Sequence, residues 1–554
     1  MKTHHNKSEE SLPQQSKDNQ NPLTGANDEF TFPDFTEPED TPEDSDRLTD
    51  LGNGKYAYGI WLFQASQGNP ATMRLRGLYE LGVYKKIRQL GFFKRKVGQE
   101  FILIHEVDGI IEVVDLPQLK DVLYKHVEIA TGESFSFKAF DQTFSFVGED
   151  LKNTFLGKIG KIIKNEKLPF ITDHTKEILR DNRDTSFVFF QNCVVRVTSF
   201  GHECLTYQDL DGKVVWRSHI IPRCFSYIED YETCHFSTFL DNICGYNSTE
   251  GLTPQVEDRA RAAKSSIGYL LHNYNSMTND WAVILYDEKS TNDMKNGGTG
   301  KGVLVQALRQ MRNTEIIDGK MFDPTNKFRY QLVTPETQIM CLDDVKNSFD
   351  FSDLFGKVTG NFQFDKLFLG TIKIPPEESP KVLITSNTVM STIGSSNKRR
   401  QQIIEFSDHY SRHLYDPACK TLEEEHGCMF FSDDWDQDEW NRFFSLMIDC
   451  LRFYLKNGLM TYEHISVYRN VLAGATSQEF MEYMLDDPEG CPIEAGVEID
   501  PSSLFQQFKQ EYMPDSDLKQ RTFTMWVKRY AEVYCYELSE RKSNGKRLYT
   551  LVKK

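Results

Sequence analysis

Short apolar runs closed by polar or turn residues alternate with stretches of 3–4-residue apolar spacing along most of this chain. The clearest series lies between 281 and 406. There the runs 281–286, 329–333, 338–342, 381–385 and 402–406 read as strands, and helical spacing separates several of them, as at 303–308. Strands alternating with helices predict a parallel sheet whose ligand sits at the strands' C-terminal ends. The fold class read from this pattern is α/β.

The flanking segments read differently. Residues 1–50 are dominated by Gln, Asn, Ser, Pro, Asp and Glu, and cannot bury enough apolar surface to offset chain entropy. They read as a disordered acidic tail, either simply solvated or an arm that contacts a partner or blocks a DNA site. Residues 51–145 read as an α+β accessory domain: helical spacing at 74–90, a hairpin of 101–107 and 110–114 around Asp108-Gly109, and a helix at 119–127. Asp108 and Asp115 stand too far apart to form the close acidic pair of a two-metal primase site. Residues 146–250 carry short strands at 186–190, 194–197, 204–207 and 214–216, with Asp211-Gly212 as a hairpin signal, and then helical spacing at 236–243. This predicts a β-rich module. A helix at 259–274 opens the core segment, 251–415.

Residues 416–497 read as helical. Trp440, Phe443, Phe444, Met447 and Leu451 recur at helical steps, and Gly458 follows as a stop. A lid or collar and a plain packing domain fit equally. Residues 498–554 read as helices at 504–513 and 523–536. A hairpin follows, 536–539 with 547–552, around Ser543-Asn544-Gly545-Lys546. That is the outline of a winged helix.

Composition narrows the class. At 554 residues the chain needs about three or four domains. With 39% hydrophobic and 26% charged residues it reads as soluble and globular. No run of 18 apolar residues and no N-terminal apolar signal core occur, so the expectation is a cytoplasmic protein without a membrane span. The 11 cysteines form no CxxC pair, which favours reduced thiols, and His202, Cys204, Cys234 and His235 fit no usual zinc spacing. The net charge of -18 argues against a generally basic nucleic-acid coat protein. It leaves room for a nucleic-acid motor, because only the surface lining the DNA need be basic. Against that background the basic C-terminal cluster is informative: Lys528 and Arg529 on the second helix, and Arg541, Lys542, Lys546 and Arg547 on the hairpin. It reads as a DNA-binding face or as a solvated or protein-docking surface.

The candidate chemistry centres on Asn296, Gly297, Gly298, Thr299, Gly300, Lys301, Gly302 and Val303, set between the 281–286 strand and the 303–308 helix. Glycines let backbone N–H groups wrap phosphates, the helix N-terminus favours negative charge, and Lys301 reaches the outer phosphates. The stretch departs from GxxxxGK[ST]: Lys295 holds the first glycine's place, and Gly302 holds that of the hydroxyl that normally ligates Mg²⁺. Downstream, the 338–342 strand ends in Asp343 and Asp344. The first suits a hydrated Mg²⁺ and the second suits polarising an attacking water. The 381–385 strand leads to Asn387, which can orient that water against a γ-phosphate. Arg399 and Arg400 precede the last strand, where an arginine can act on a neighbouring subunit's phosphate. Lys357 and Lys366 lie between the acids and the Asn, on a candidate hairpin.

This set, in this order, resembles superfamily 3 helicases of the phage, plasmid and poxvirus primase-helicase type. Their Walker A loop matches Gly297 to Lys301, their Walker B acids Asp343-Asp344, and their Lys-bearing intermediate motif Thr359 to Lys366. Their motif C matches Ile384 to Asn387, and their Arg pair Arg399-Arg400. The match is firm over about 280–410 and weak upstream. The resemblance implies an AAA+-like P-loop ATPase core, a homo-hexameric ring, and ATP and Mg²⁺ as ligands. It further implies hydrolysis-driven translocation on single-stranded DNA in phage or mobile-element replication, with Lys366 in the ring's channel. It supplies no primase, so a primase or polymerase would be a separate partner. The expectation is an ATP-dependent DNA helicase in a bacterial or phage-infected cytoplasm. The alternative is a DNA-binding initiator or scaffold that uses ATP as an assembly switch, and an RNA-directed motor is a third reading.

Overall fold

The computed structural model of the chain describes residues 47–66, 69–97, 100–246, 253–276, 281–288, 297–346, 349, 351–354, 362–366, 370–387, 400–462, 464–486, 491–534, 536–543 and 546–553. The acidic stretch 1–46, Asn296, Lys357, Arg399 and the Asn544-Gly545 turn lie outside them, as do the side chains of Lys366 and Lys546.

An α+β unit comes first. Strands β1 (Thr49–Gly52), β2 (Lys55–Tyr58), β3 (Trp61–Ser66) and β4 (Asn69–Leu78) pair antiparallel in sequence order. The helix expected over 74–90 starts only at α1 (Glu80–Gln89). Met73 and Gly77 point inward along β4 while Arg74 and Arg76 are exposed, a period of two that runs without a break into the helical spacing of Val83 and Ile87. Then come β5 (Phe92–Val97), β6 (Glu100–Val107), β7 (Ile110–Val113), α2 (Leu116–Thr131), β8 (Ser134–Ala139), β9 (Gln142–Val147) and α3 (Gly148–Ile162). Asp115 caps α2 in a reciprocal box with Gln118, and Asp108 takes φ 50° in the β6–β7 turn. Both acids thus hold local backbone in place.

The next strands are β10 (Thr185–Phe190), β11 (Val194–Thr198), β12 (Gly201–Leu205), β13 (Val215–Trp216) and β14 (Ile220–Ile221). Asp211 and Gly212 adopt positive φ, 52° and 72°, as an Asp-Gly turn demands. Yet the expected hairpin does not form. β12 stays on β11 in the sheet β12-β11-β10-β14, while β13 runs parallel to β7 in the sheet β13-β7-β6-β5. Trp216 and Val214 are buried with Ile104 and Ile111, so apolar burial rather than the turn chooses the partner.

Helices α4 (His235–Ile243) and α5 (Pro254–Leu271) lead into the central sheet: β15 (Ala282–Asp287), α6 (Lys301–Met311), β16 (Thr314–Asp318) and β17 (Ile339–Asp343), then the hairpin β18 (Phe362–Lys366) and β19 (Gly370–Ile374), then β20 (Lys381–Ser386) and β21 (Gln401–Phe406). The five sheet strands are all parallel, in the order β16-β17-β20-β15-β21. One expected strand is replaced by another. Residues 329–333 are turns that drop Tyr330 and Val333 into the core, and the fifth strand is β16, an edge strand whose Thr-Glu-Ile-Ile-Asp pattern is only partly apolar.

Both faces of the sheet are covered, as a parallel sheet requires. Val283, Leu285, Cys341, Leu383 and Ile404 face one apolar cluster, shared with α4, α5, α6 and strands β10 and β11. Ala282, Ile284, Tyr286, Met340, Leu342, Val382 and Ile384 face the other, filled by Phe362, Phe364, Ile372 and Ile374 of the hairpin. The period-2 alternation along each strand produces this division.

After α7 (Leu422–His426), the long α8 (Gln437–Asn457) buries Trp440, Phe443, Phe444, Met447 and Leu451 in the first of those clusters. Each such side chain contributes roughly 1.5–3 kcal/mol by burial. Asp436 caps its start and Gly458, at φ 73°, follows its end. Where α5 crosses α8, a Cβ on Gly268 would lie 2.2 Å from the carbonyl oxygen of Cys450. Backbone cannot retreat as a side chain can, so Gly268→Ala is expected to destabilise the fold by about 3 kcal/mol, read as a lowered thermal midpoint. An unchanged midpoint would show that the two helices can separate freely.

The C-terminal unit contains α9 (Ile465–Ala475), α10 (Gln478–Leu485), α11 (Pro501–Tyr512), α12 (Gln520–Val533), and the antiparallel hairpin β22 (Tyr536–Ser543) and β23 (Lys546–Lys553). Its core gathers Leu472, Phe480, Tyr483, Phe508, Phe523 and Leu551. Among the described residues, no helix is long and apolar enough to cross a membrane.

Candidate functional site

The C-terminal ends of β15, β17 and β20 lie side by side, and the first turn of α6 faces them. Helix α6 starts at Lys301 because Gly300 takes φ 101°, a left-handed backbone that reverses the chain. A Cβ on Gly300 would come within 2.7 Å of the Phe239 ring of α4, so glycine is needed for space as well as conformation. Gly297 and Gly298 also have positive φ, 67° and 83°. Backbone of this shape at a helix N-terminus turns N–H groups toward a concavity and suits an anion. Leu304, Val305, Ala307, Leu308 and Met311 anchor α6 beneath.

A cleft of about 480 Å³ opens over these ends. Gly297 to Val303 line one side, Asp343, Asp344, Thr385 and Asn387 another, and Tyr410 and Leu422 a third. That volume falls within the range of small-molecule sites.

Side chains of β17 and β20 lock together. The Thr385 hydroxyl donates to Asp343 Oδ1 at 2.6 Å and accepts the backbone N–H of Asp344 at 2.7 Å. Asn387 Nδ2 donates to Asp344 Oδ1 at 2.9 Å, and Lys320 pairs with the other Asp344 oxygen. Asp344 has φ 56°, uncommon for a residue with a side chain, so the turn after β17 is built to present this carboxylate. A Cβ on Gly297 would meet the Asn387 amide at 3.7 Å, which brings the glycine loop and the end of β20 together.

Lys301 is almost fully buried. Its ammonium pairs with Asp287, the last residue of β15, and lies 3.3 Å from the Thr299 hydroxyl, which itself donates to Asp287. Burial pushes the Lys301 pKa down, and Asp287, then Asp344 and Asp343, push it back up.

The third wall is aromatic. Tyr410 stacks on Phe239 with ring centroids 5.6 Å apart. Its hydroxyl accepts from Asn242 Nδ2 at 2.9 Å and lies 2.8 Å from His426 Nε2. Burial, with His235 beside it, lowers the His426 pKa to about 4.

The sites read from the sequence divide as follows. Gly297, Gly298, Thr299, Gly300, Lys301, Gly302, Val303, Asp343, Asp344 and Asn387 come together in one cleft. Arg400 does not join them. It precedes β21, whose first residue pairs in register with Ala282 and whose last pairs with Asp287. Six strand residues at about 3.3 Å each put Arg400 roughly 20 Å away, at the opposite edge of the sheet. Lys366 ends β18, where it pairs with Gly370. At the C-terminus, Lys528 pairs with Glu540 at 2.9 Å, Arg529 with Glu532 at 3.1 Å and Arg541 with Glu498 at 3.2 Å, while Lys542 and Arg547 are exposed. That face carries less free positive charge than its count of basic residues implies.

Three residues at the cleft escaped the motif reading. Asp287 ends an apolar strand fourteen residues before Lys301, Thr385 lies inside a strand, and Tyr410 sits in an irregular segment. Only the first carries a signal, a carboxylate closing a continuous apolar run.

A divalent cation fits this donor set in a limited way. Among the described residues no group of three His, Cys, Asp or Glu side chains is arranged to hold a metal ion. Two adjacent carboxylates beside a glycine loop suit Mg²⁺, which keeps several waters and takes one or two carboxylates plus phosphate oxygens. Gly302 offers no hydroxyl, Thr299 donates to Asp287 and Thr385 to Asp343. Packing does not impose that absence, since a Cβ on Gly302 would meet nothing within 4 Å.

No protein-family model matches the chain, and no curated protein matches it. Among solved structures, the apo structure of the NrS-1 C-terminal region (305–718) aligns over 86% of this chain and 99% of its own, at 12% identity and a TM-score of 0.39. Two A-form apo structures of the same region each align over 85% of this chain and 99% of theirs, again at 12% identity, with TM-scores of 0.34 and 0.36. Likeness at that level carries no conclusion about function, and the site's own geometry has to.

Proposed function

We propose that this chain is an ATP-hydrolysing motor on DNA, of the superfamily 3 helicase type, serving the replication of a phage or mobile element. The observation that supports this most is the convergence of glycine loop, Lys301, acidic pair and Asn387 on one cleft at the C-terminal edge of a parallel sheet. The strand order supports it too. β15 and β16, consecutive in sequence, are separated by β17 and β20, which leaves a crevice above β15 at the point where the connections change direction.

In this reading the glycine-loop N–H groups and Lys301 hold the phosphates of ATP. Asp343 and Asp344 face the γ-phosphate. Asp343 would hold Mg²⁺, which would supply neutralisation of phosphate charge when bound. Asp344, oriented by Asn387 at its carboxylate and by Thr385 at its backbone N–H, polarises the attacking water, and Asn387 reports on the γ-phosphate. Arg400, remote from its own cleft, serves the cleft of the next subunit in a homo-hexameric ring. Lys366 at the end of β18 meets DNA phosphates, and Lys542 and Arg547 extend the contact.

Strand displacement tests the proposal. On a forked duplex the protein is expected to unwind only with ATP and Mg²⁺, and single-stranded DNA is expected to raise ATP turnover. Assembly on DNA without unwinding would instead identify an ATP-switched initiator, and stimulation by RNA alone an RNA motor. Thr385→Val keeps the shape of β20 but removes the hydrogen bonds of Thr385 to the Asp343 carboxylate and the Asp344 backbone. It is expected to lower ATP turnover by about 10–100-fold in a protein that a circular-dichroism melt shows still folded, at a cost of about 1–3 kcal/mol for the unpaired Asp344 N–H.

A further inference from the structure

In most phosphate-binding loops of this arrangement a glycine follows the strand at once. Here thirteen residues separate β15 from α6, and the strand ends in Asp287, a buried carboxylate. Two of the loop's polar side chains point at it. Lys301 gives it an ammonium donor and Thr299 a hydroxyl donor, both to the same oxygen, Oδ1. The side chains of Lys301 and Asp287 retain only 8% and 7% of their exposure, so this ion pair sits out of water. An ion pair so placed is held by its partner rather than by solvent, and removing one member leaves a buried, uncompensated charge.

A triphosphate entering the cleft needs the same ammonium. Asp287 and the phosphates are both anionic, and Lys301 is their common cation. We propose that Asp287 is the resting counter-ion of Lys301 and sets the affinity of the cleft for nucleoside triphosphate, because bound phosphates must draw Lys301 away from it. This rests on the nucleotide reading of the cleft. Asp287 is here a positioning residue: it holds the Lys301 ammonium at the end of β15 and yields it to the phosphates.

The signature is a pair of changes of opposite sign. Asp287→Asn keeps the size and an acceptor oxygen but removes the charge. In the full-length variant the nucleotide-free thermal midpoint is expected to fall, because buried Lys301 loses its partner. The dissociation constant for ATP, measured with a fluorescent ATP analogue and Mg²⁺, is expected to tighten about tenfold. The KM for ATP should fall with it. Asp287→Glu, which restores the charge, should return both midpoint and affinity toward the wild-type values. A merely structural Asp287 would lower midpoint and affinity together. Unchanged or weaker ATP binding in a folded Asp287→Asn protein overturns the inference. Should that variant fail to fold, Asp287→Ser carries the same expectation and the same refutation. Wild-type protein that does not bind ATP at all would overturn the nucleotide reading itself; wild-type binding without tightening in the variant overturns only the role of Asp287.

Discussion

Lys301→Ala is expected to reduce ATP turnover by at least about 10³-fold and to abolish unwinding, with the chain still folded. The size follows from what the side chain does: it is a preorganised cation in a water-poor cleft, and lost charge stabilisation of that kind costs several powers of ten. The structure adds a term that the motif alone does not contain. Lys301 is the partner of buried Asp287, so truncation also leaves a carboxylate with only the Thr299 hydroxyl. Breaking such a pair costs roughly 3 kcal/mol or more, against totals of about 5–15 kcal/mol for folded domains. The experiment therefore needs a circular-dichroism melt beside the phosphate-release assay. A folded Lys301→Ala protein that still hydrolyses ATP would remove the loop from the chemistry.

The second large effect is expected at Arg400, and it differs in kind. Arg400→Ala should bind ATP as the wild type does, because the residue lies at the far edge of its own sheet. Its turnover should nonetheless fall about 10³-fold, the usual contribution of an arginine supplied in trans. Mixing the two dead proteins decides the matter. Where the Lys301 of an Arg400→Ala subunit meets the Arg400 of a Lys301→Ala neighbour, a complete site forms. In an equimolar head-to-tail ring this happens at roughly a quarter of the interfaces. Recovery of activity on mixing is the expected result. No recovery, or full activity in Arg400→Ala alone, would remove the intersubunit role.

Much of the central architecture could be read from periodicity. β15, β17 and the middle of β20 are nearly continuous apolar runs because both of their faces are covered, and such runs stand out in any sequence. Helix α8 was equally legible, since five large side chains recur on one stripe and glycine ends it. The edge strand β16 was not. Its exposed flank carries no apolar demand, whereas 329–333 looks like a strand because Tyr330 and Val333 must be buried, although turns bury them. The Asp211-Gly212 signal was real as a turn and silent about pairing, because the partner of β13 is set by a distant apolar surface.

At the cleft the motif residues could be picked out, and the residues that hold them could not. Thr385 is one hydroxyl in an apolar strand, and its function depends on a neighbour 42 positions away. Asp287 bonds to groups 12 and 14 positions away. Short motifs record the groups that face a ligand. The groups behind them are chosen by tertiary geometry, which periodicity does not encode.

The hairpin of β18 and β19 has a mechanical meaning. Its four inward side chains, Phe362, Phe364, Ile372 and Ile374, are rooted in the same close-packed cluster as Ile284, Leu342 and Ile384. Close-packed interiors are stiff and transmit strain. The hairpin is therefore a lever clamped at its base, not a flap on a hinge. Lys366 and Gly370 lie two residues beyond the outermost of these anchors, Phe364 and Ile372, so about 7 Å of paired strand extends past the seat and moves with it. In the motor proposed above, a shift of that seat would carry the Lys366 end without any change in the hairpin's own conformation.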